Sequence, residues 1–385
     1  RAKAQAVADF SRGLLGTGET ITLTEYVQRW LDRQRDIRAS TKRGYRMDLD
    51  YALAHLGKMK VKDIRPHHIK DTLTKLSQRT MESGKGLGKP MSSRTLGMVR
   101  ARLKAVFREA VIDQIIYVNP CEAVKRIKGN TSSESVGTVL DFVQMTQFHE
   151  LGLALYEAKV SRLFPALFTA ASLGLRRGET MALRWQDVDL EKNTLYVRQN
   201  LVTVGGKPEL GEPKTRYSKR EIPIPTTLKS LLLIHKARQE TERIKAAEAW
   251  HDTGAVFATE TGEYTHPDNF GRALRNLIEW SDASIFRIKR FLGVPIEARG
   301  KLETIIKDSK KLPDLRPHDL RHTAATLMLR RGVAVEVVSR ILGHSKVSVT
   351  LDIYRHVLES EKQAVMVDLF DTPLPVRQAQ AVTLN

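Results

Sequence analysis

The sequence has almost no cysteine: Cys121 is the only one among 385 residues, so no disulfide can form within the chain. Disulfide-stapled secreted domains are therefore excluded, and a reducing compartment is expected. Long hydrophobic runs are missing as well, because the longest uncharged apolar stretch, residues 164–175, falls well short of the ~18 residues of a membrane-spanning helix. No signal peptide is recognisable, so neither secretion nor a membrane partner is expected.

Acidic residues are scarce relative to basic ones, with 44 Asp and Glu against 63 Lys and Arg and a formal net charge of +19. Such a surplus favours a polyanionic partner, usually nucleic acid, although a basic surface that serves only solubility is the alternative. The charge is unevenly distributed: residues 1–130 hold 27 basic and 13 acidic residues, a net +14, whereas the rest of the chain holds 36 and 31. The first part of the chain is therefore predicted to bind phosphates.

A small, polar segment without apolar periodicity, residues 129–138, is predicted to link two domains. Residues 20–128 before it carry apolar residues at helical spacing and are predicted to form an all-helical, core-DNA-binding domain. Ser92 and Ser93 begin its clearest helix. Along that helix three basic residues, which either contact phosphate or form a solvated face, are spaced four apart: Arg100, Lys104 and Arg108.

Two further helix starts are expected in this domain. Ser40 and Thr41 have the side chains of helix caps and precede an apolar stripe. Asn119 followed by Pro120 is typical of a cap and a first helical position, which predicts a short last helix.

Residues 139–370 are predicted to form a second domain, which is mainly helical with a small antiparallel β-sheet. Strand-like alternation runs through residues 194–203, and Gly205 and Gly206 then turn the chain. Residues 220–224 form a further strand, whose prolines indicate the edge of a sheet.

Three segments extend or interrupt these domains. Residues 286–313 hold eight basic and three acidic residues, a net +5, and are either an extra DNA contact or a disordered insertion. Residues 1–19 form an N-terminal extension, and residues 371–385 form a C-terminal tail.

Chemistry is suggested by six residues, which fall in five separate segments of the sequence: Arg176, Lys214, His318, Arg321, His344 and Tyr354. Each has an ordinary interpretation by itself, as a surface cation, a capping histidine or a half-buried tyrosine. His318 and His322, four apart on one helix, resemble a zinc-binding pair, but no third ligand follows them.

As a set, these residues fit phosphoryl transfer without a metal. Pro317 marks a helix start that places His318 and Arg321 on one face. Guanidinium groups bind a phosphate with two parallel hydrogen bonds and stabilise the charge that grows in a transition state. A lysine or imidazole can move a proton, and a tyrosine that loses its proton can be a covalent nucleophile. No cluster of carboxylates that would hold Mg²⁺ accompanies them in the sequence.

The second half of the chain carries the most specific motifs, which resemble those of the tyrosine recombinases, also called the phage integrase family. His318-Asp-Leu-Arg321 is similar to the family's His-x-x-Arg box. Leu342-Gly-His344 matches the Leu-Gly-His that follows it, and Tyr354, 10 residues after His344, matches the nucleophile.

The resemblance extends in order and spacing over residues 20–370. The segment Gly174-Leu-Arg-Arg-Gly-Glu179 is similar to the family's first arginine box, which implies that Arg176 is the first catalytic arginine and Glu179 its supporting acid. Lys214 matches the lysine that the family keeps in a β-turn.

The resemblance implies strand cleavage and rejoining that need no metal, ATP or other cofactor. Three residues would bind the scissile phosphate and stabilise its transition state: Arg176, Arg321 and His344. Tyr354 would attack to form a 3′-phosphotyrosyl bond and release a 5′-hydroxyl. Lys214 would protonate the leaving oxygen, and His318 would assist as a general acid or base.

It also implies that the helical and the catalytic domain form a C-shaped clamp around DNA. The expected function is site-specific integration or excision of a mobile element in the bacterial cytoplasm. The expected partners are double-stranded recombination sites and further copies in a homotetramer, with residues 357–369 packing onto a neighbouring protomer. The need for a DNA-bending protein or an excisionase stays open, as does whether residues 1–19 once joined an arm-binding domain.

Other functions stay open at this point. A recombinase that resolves chromosome dimers and a type IB topoisomerase share the same chemistry, although the short spacing from His344 to Tyr354 argues against the topoisomerase. A catalytically silent DNA-binding protein is disfavoured because both arginines and Tyr354 are present. A metal hydrolase built on His318 and His322 would be inhibited by EDTA.

Overall fold

The computed structural model describes residues 20–79, 90–125, 137–211, 219–282, 294–307 and 310–362, without the side chains of residues 39–40 and 355–362. The chain divides into two compact units, with the boundary at residues 134–135. Each unit has its own hydrophobic core, as is typical of separate domains.

The described part of the first unit is helical. Thr22 caps its first helix by accepting a hydrogen bond from the Glu25 N–H, while the Glu25 carboxylate accepts one from the Thr22 N–H. Ser92 caps the longest helix of this unit, as predicted, by accepting from the Thr95 N–H. The helices are α1 (Leu23–Arg33), α2 (Ala39–Leu56), α3 (Pro66–Gln78) and α4 (Ser93–Ile112).

The core of the first unit lies where α1, α2, α3 and α4 pack together. The apolar face predicted for α4 is buried along its length, from Leu96 to Ala110. From α1, Tyr26 and Trp30 are buried against it, and the Tyr26 hydroxyl donates a hydrogen bond of 2.8 Å to Asp113. Helical periodicity therefore identified this core correctly.

Two of the expected helix starts in this unit are wrong. α2 begins at Ala39, so its cap is Arg38 rather than Ser40 or Thr41. Asn119 begins no helix within the described residues up to 125. Its side chain instead accepts from the Cys121 N–H and donates to the Lys104 carbonyl, each at 2.9 Å, because a short Asn side chain readily stabilises a turn.

The second unit is built around one almost completely buried helix, Phe164–Leu173. This helix, α6, accounts for the apolar stretch in the sequence, and no described helix is both long and apolar enough to cross a membrane. The surrounding helices are α5 (Phe142–Glu157), α7 (Arg177–Met181), α8 (Thr226–Ala246), α9 (Pro267–Trp280), α10 (Ile296–Lys307), α11 (Pro317–Arg330), α12 (Val335–Leu342) and α13 (Val347–Lys362).

Two small antiparallel sheets accompany these helices in the described part of the unit. The strands are β1 (Val188–Asp189), β2 (Thr194–Val197), β3 (Asn200–Val204), β4 (Lys207–Gly211) and β5 (Arg220–Pro223). β1, β2 and β5 form one sheet in that order, so β5 is the edge strand that its prolines indicated. β3 and β4 form a hairpin, and Gly205 and Gly206 at its turn have φ values of 56° and 84°.

The sequence predicted one strand over residues 194–203, whereas the structure divides it between the two sheets. Leu195 and Val197 are buried in the first sheet and Leu201 in the second. Alternation of apolar side chains persists across the break, so the pattern alone does not reveal it.

The described part of the basic segment 286–313 is folded. Helix α10 packs against α5, and its Leu302 and Ile306 are buried in the main core. Lys301 on the same helix forms an ion pair of 2.8 Å with Glu157. For the described residues of this segment, the alternative of a disordered insertion is therefore excluded.

Candidate active site

The first arginine box begins at the end of α6. Gly174 there has a φ of 68°, and a Cβ at this position would lie 2.6 Å from Leu342, so only glycine fits without strain. The chain then turns so that Arg176 caps α7. Its guanidinium donates to a Glu179 carboxylate oxygen at 2.7 Å, and its backbone N–H donates to the other at 3.0 Å.

Glu179 is almost fully buried between two arginines. Arg220, on strand β5, donates to Glu179 Oε2 at 2.9 Å, and its side chain is only 7% exposed. Burial by itself would raise the pKa of the Glu179 carboxyl, but the charges and hydrogen bonds of Arg220 and Arg176 outweigh this effect and lower it. The ionised carboxylate therefore holds two guanidiniums in fixed orientations.

Arg220 is a site residue that the sequence analysis missed. It also donates from Nε to the Ile341 carbonyl at 2.5 Å, so it links the first arginine box to α12. The available signal was an arginine at the start of the predicted strand 220–224, whose Ile222 and Ile224 are buried. That signal is weak, because charged residues are common at edge strands.

Arg321 joins three of the predicted motifs. The residue is only 2% exposed. Its guanidinium donates to the carbonyl of Gly174 at 2.8 Å and to that of Leu342 at 2.7 Å. Burial, together with the nearby charge of Arg176, lowers the pKa of Arg321, but an arginine stays protonated at neutral pH. Its side chain thus brings the glycine turn, the His-x-x-Arg box and the Leu-Gly-His segment to one place.

His318 lies in the first turn of α11, three residues before Arg321. Asp319 stabilises this helix start by accepting from the Arg316 N–H at 2.7 Å. Desolvation and the neighbouring His322, Arg321 and Arg176 lower the pKa of His318 to about 4. The imidazole is therefore neutral at pH 7.

His344 follows the end of α12 at Gly343, whose φ of 70° confirms the predicted glycine stop. Its Nδ1 lies 2.7 Å from the hydroxyl of Thr350, which fixes the orientation of the ring. Desolvation, followed by Arg321, Arg176 and Arg220, lowers the pKa of His344 to about 4. A neutral imidazole with a fixed orientation can donate a hydrogen bond to an oxygen without adding a further charge.

Tyr354 lies on α13 and is 1% exposed. Its ring packs in a small apolar cluster that includes Leu329 and Leu342. Its hydroxyl lies 2.9 Å from Nδ1 of His322. Burial raises the pKa of Tyr354 to about 12, while the charge of Arg321 opposes the shift, so the hydroxyl is protonated at neutral pH.

Four of the predicted residues lie close together: the charge of Arg176 lowers the pKa values of His318, Arg321 and His344. Tyr354 joins them through its electrostatic interaction with Arg321. Lys214 lies outside the described residues.

The arginines and lysine predicted to contact DNA lie in the first unit and do not form one uniform face. Arg100 donates to the backbone carbonyls of Val124 and Cys121 at 2.8 and 3.4 Å. Lys104 forms an ion pair of 2.8 Å with Glu122, whereas Arg108 is exposed. Their role in binding DNA stays a prediction, for which Arg108 has the most accessible side chain of the set.

The described residues of this site present cationic and hydrogen-bonding groups of the kind that bind a phosphate. Arg176 and Arg321 supply guanidiniums, and the neutral imidazoles of His318 and His344 add hydrogen-bonding groups. The described part of the chain contains no group of three His, Cys, Asp or Glu residues that could hold a metal ion.

Comparison with known proteins identifies the family. The model described as "Phage integrase family" matches residues 147–361, and that of a phage integrase N-terminal SAM-like domain matches residues 22–77. The chain belongs to the phage integrase family. The resemblance predicted from the motifs is thereby confirmed, and the protein is a tyrosine recombinase whose relatives include integrases of mobile elements.

Two curated relatives illustrate this. A tyrosine recombinase XerC-like protein of Caldanaerobacter subterraneus subsp. tengcongensis is 30% identical over 73% of this chain and 66% of its own length. The ICEBs1 integrase of Bacillus subtilis is 27% identical over 80% of this chain and 74% of its own. The chain thus spans about two thirds to three quarters of the length of these relatives.

Solved structures show the same fold. The integrase of transposon Tn1549, in complex with a circular intermediate DNA, superposes with a TM-score of 0.65 at 20% identity, covering 90% of this chain and 99% of that one. A lambda integrase dimer bound to a core site gives 0.57 at 16% identity, covering 86% and 97%. The predicted mainly helical fold with small antiparallel sheets, that of a tyrosine recombinase, is confirmed.

Proposed function

We propose that this tyrosine recombinase cleaves and rejoins DNA at specific sites of a mobile element, through a covalent bond between Tyr354 and a DNA 3′-phosphate. The observation that carries the proposal is the placement of Arg321, which binds the carbonyls of Gly174 and Leu342 and so gathers the separate motifs around one buried guanidinium. Tyr354 is close enough to interact electrostatically with this guanidinium.

Each residue has a proposed role in the cleavage step. Arg176, Arg321 and His344 bind the scissile phosphate and stabilise the charge of its five-coordinate transition state. The Tyr354 oxygen forms a bond to phosphorus as the bond from phosphorus to the 5′ oxygen breaks. Lys214 gives a proton to that leaving oxygen, and His318 assists proton transfer.

Rejoining reverses this step with a different strand. The 5′-hydroxyl of a partner DNA attacks the phosphotyrosyl phosphorus and displaces Tyr354. One phosphodiester is made for each one broken, so the reaction needs neither ATP nor a bound metal ion. Glu179 supports the chemistry indirectly, because it holds the guanidiniums of Arg176 and Arg220 in place.

The partners are proposed from the family and from the charge of the chain. Relatives have been solved with DNA, including a lambda integrase tetramer bound to a Holliday junction. We extend this to double-stranded recombination sites and a homotetramer here. Residues 20–128 are proposed to bind the core site and residues 139–370 to carry out the chemistry, with any DNA-bending protein or excisionase to be identified by reconstitution.

Covalent trapping tests the proposal. The protein is incubated in EDTA with a library of random duplexes carrying a nick downstream on the cleaved strand, so that the short 5′-hydroxyl fragment dissociates and rejoining is prevented. SDS-resistant protein–DNA adducts are then captured and sequenced. Wild type is expected to give adducts at one paired inverted sequence, and Tyr354→Phe is expected to give none.

Tyr156→Phe is the matched control, because Tyr156 is equally buried and its hydroxyl is also hydrogen-bonded to a histidine, His235, at 2.8 Å. This variant is expected to form adducts like wild type. Adducts at scattered sequences would instead favour a topoisomerase. DNA binding without any adduct from wild type would overturn the proposal in favour of a silent DNA-binding protein, and adducts from Tyr354→Phe would exclude Tyr354 as the nucleophile.

A further inference from the structure

The hydroxyl of Tyr354 is held by a histidine outside the motifs that define the family resemblance. His322 follows Arg321 directly on α11, and its Nδ1 lies 2.9 Å from the Tyr354 oxygen. The two rings are 5.8 Å apart, centre to centre. A contact of this length between a phenol and an imidazole nitrogen is a normal hydrogen bond.

The ring of His322 is confined by its surroundings. The backbone at Gly137 approaches it so closely that a Cβ on this glycine would lie 3.0 Å from the His322 ring. The ring of His318 packs edge-on against it at 4.8 Å with an interplanar angle of 89°. Confinement by these neighbours keeps Nδ1 directed at the Tyr354 hydroxyl.

The protonation states of the two groups allow Tyr354 to donate this hydrogen bond. A tyrosine with a pKa of about 12 keeps its proton at neutral pH and can donate it in a hydrogen bond. Desolvation lowers the pKa of His322, so its imidazole is neutral and has one acceptor nitrogen. Nδ1 accepts from Tyr354 when the ring carries its own proton on Nε2, and this tautomer leaves Nδ1 able to take the tyrosine proton.

Charged and titratable groups face His322 from its own helix and from α13. Arg321 and Arg316 lower the pKa of His322, and Asp319 opposes them. The Asp319 carboxylate is itself occupied by the backbone N–H and guanidinium of Arg316. From α13, Tyr354 faces the ring, and from its own helix His318 does.

We propose that His322 orients the Tyr354 hydroxyl and accepts its proton as the tyrosine attacks the scissile phosphate. This role rests on the proposed function, since it requires Tyr354 to be the nucleophile. As the oxygen–phosphorus bond forms and the bond to the 5′ oxygen breaks, the tyrosine proton moves to Nδ1, and the leaving oxygen takes a different proton, from Lys214. During rejoining, His322 returns its proton to the displaced tyrosine oxygen.

Two substitutions separate orientation from proton transfer. In His322→Asn the amide oxygen takes nearly the place of Nδ1, so the hydrogen bond is kept but the base is lost. In His322→Phe both are lost. The matched control is His235→Asn, because His235 Nδ1 makes the equivalent bond to Tyr156 at 2.8 Å among residues outside the site. Circular dichroism and DNA binding check that each variant is folded.

The measurement is the single-turnover rate of cleavage against pH, on the site recovered by covalent trapping. Wild type is expected to give a flat profile between about pH 7 and about pH 9, because the histidines are already neutral and Tyr354 does not ionise there. His322→Asn should be slower by about 10²–10⁴-fold near neutral pH, and its rate should rise about tenfold per pH unit, because solvent must then remove the proton. His322→Phe should be slower still.

A substrate with sulfur in place of the 5′ bridging oxygen shows which of the two proton transfers a variant has lost. A thiolate leaves without a proton, so this substrate does not need protonation of the leaving group. It should restore cleavage by Lys214→Ala but not by His322→Asn. Equal rates and slopes for wild type and His322→Asn, faster cleavage by that variant, or its rescue by the sulfur substrate would each overturn the role of His322. A wild type that forms no adduct would overturn the proposed function itself, and this result is distinct from any failure confined to the variants.

Discussion

The two units differ in how much positive charge they carry and in how deeply they bury it. The first part of the chain has most of the surplus, a net +14 over residues 1–130, but cations such as Arg108 lie exposed there or, like Lys104, pair with a nearby carboxylate. The second unit has a small surplus and yet buries Arg220 and Arg321. Net charge therefore indicates the kind of partner, whereas burial indicates where the chemistry is.

The physical reason is the surrounding solvent. An exposed cation is screened by water and salt, so it attracts a polyanion without being held in one geometry. A buried guanidinium is stable only when specific acceptors surround it, and those acceptors fix its orientation. The predictions below test this contrast in order of decreasing effect.

The largest effect is expected at the most buried cation. Arg321→Lys should slow cleavage by about 10²–10³-fold, because a lysine cannot bind two carbonyls and a phosphate in the same fixed plane. The single-turnover rate of adduct formation measures this. Arg162→Lys is the control, since Arg162 is a partly buried arginine that pairs with Glu242 away from the site. Equal rates for Arg321→Lys and wild type would show that the fixed geometry is dispensable.

The next effect is on stability. Glu179→Gln should lower the free energy of unfolding of the second unit by about 3 kcal/mol at pH 7, because it leaves the guanidiniums of Arg220 and Arg176 without their counter-charge. Denaturant unfolding measures it. An unchanged unfolding midpoint would contradict the structural role of this carboxylate.

The same carboxylate gives a pH dependence of defined sign. The folded pKa of Glu179 is below its ordinary value of 4.5, so its stabilising contribution is complete above that pH and is lost as pH falls further. The difference in unfolding free energy between wild type and Glu179→Gln should therefore shrink at acidic pH. A difference that stays constant from neutral to acidic pH would show that folding does not shift the pKa of this carboxyl.

A smaller effect on stability is expected in the first unit. Arg100→Met should lower the free energy of unfolding of that unit by about 2 kcal/mol, because Arg100 donates to the carbonyls of Val124 and Cys121. The salt dependence of DNA binding should not change. A shallower salt dependence for this variant would show that Arg100 contacts phosphate as well.

The smallest effect is expected at Arg108, which lies on the same helix as Arg100 but is exposed. Arg108→Ala should leave the unfolding transition unchanged and reduce the slope of log affinity against log salt by about one, since one phosphate contact is lost. Binding to duplex DNA at several salt concentrations measures the slope. An unaltered slope would place Arg108 off the DNA.

The sequence predicted those parts of the fold and the candidate site that depend on local pattern. Apolar spacing identified the buried face of α4, and Leu342-Gly343 identified a helix end that the structure confirms. Motif order identified the family before any geometry was known. Each of these signals is carried by neighbouring residues, which a sequence displays directly.

What the sequence could not predict depends on tertiary contacts. The carbonyls that bind Arg100 come from a turn more than 20 residues further along the chain, so nothing in the spacing of the helix distinguishes Arg100 from Arg108. Arg220 is paired with Glu179 across 41 residues. His322 was considered only as half of a metal pair, because its contact with Tyr354 joins two different helices.

The two carbonyls that bind Arg321 have a further consequence, because they lie at the C-terminal ends of two helices. Gly174 ends α6 and Leu342 is the last residue of α12, and such ends carry partial negative charge from the aligned peptide dipoles. The guanidinium therefore neutralises both helix ends and is ordered before any DNA arrives, so little rotamer entropy is left to lose when a phosphate binds. Loss of this one side chain would loosen two helix ends as well as weaken the anion site, so part of the fold and part of the chemistry depend on the same five N–H groups.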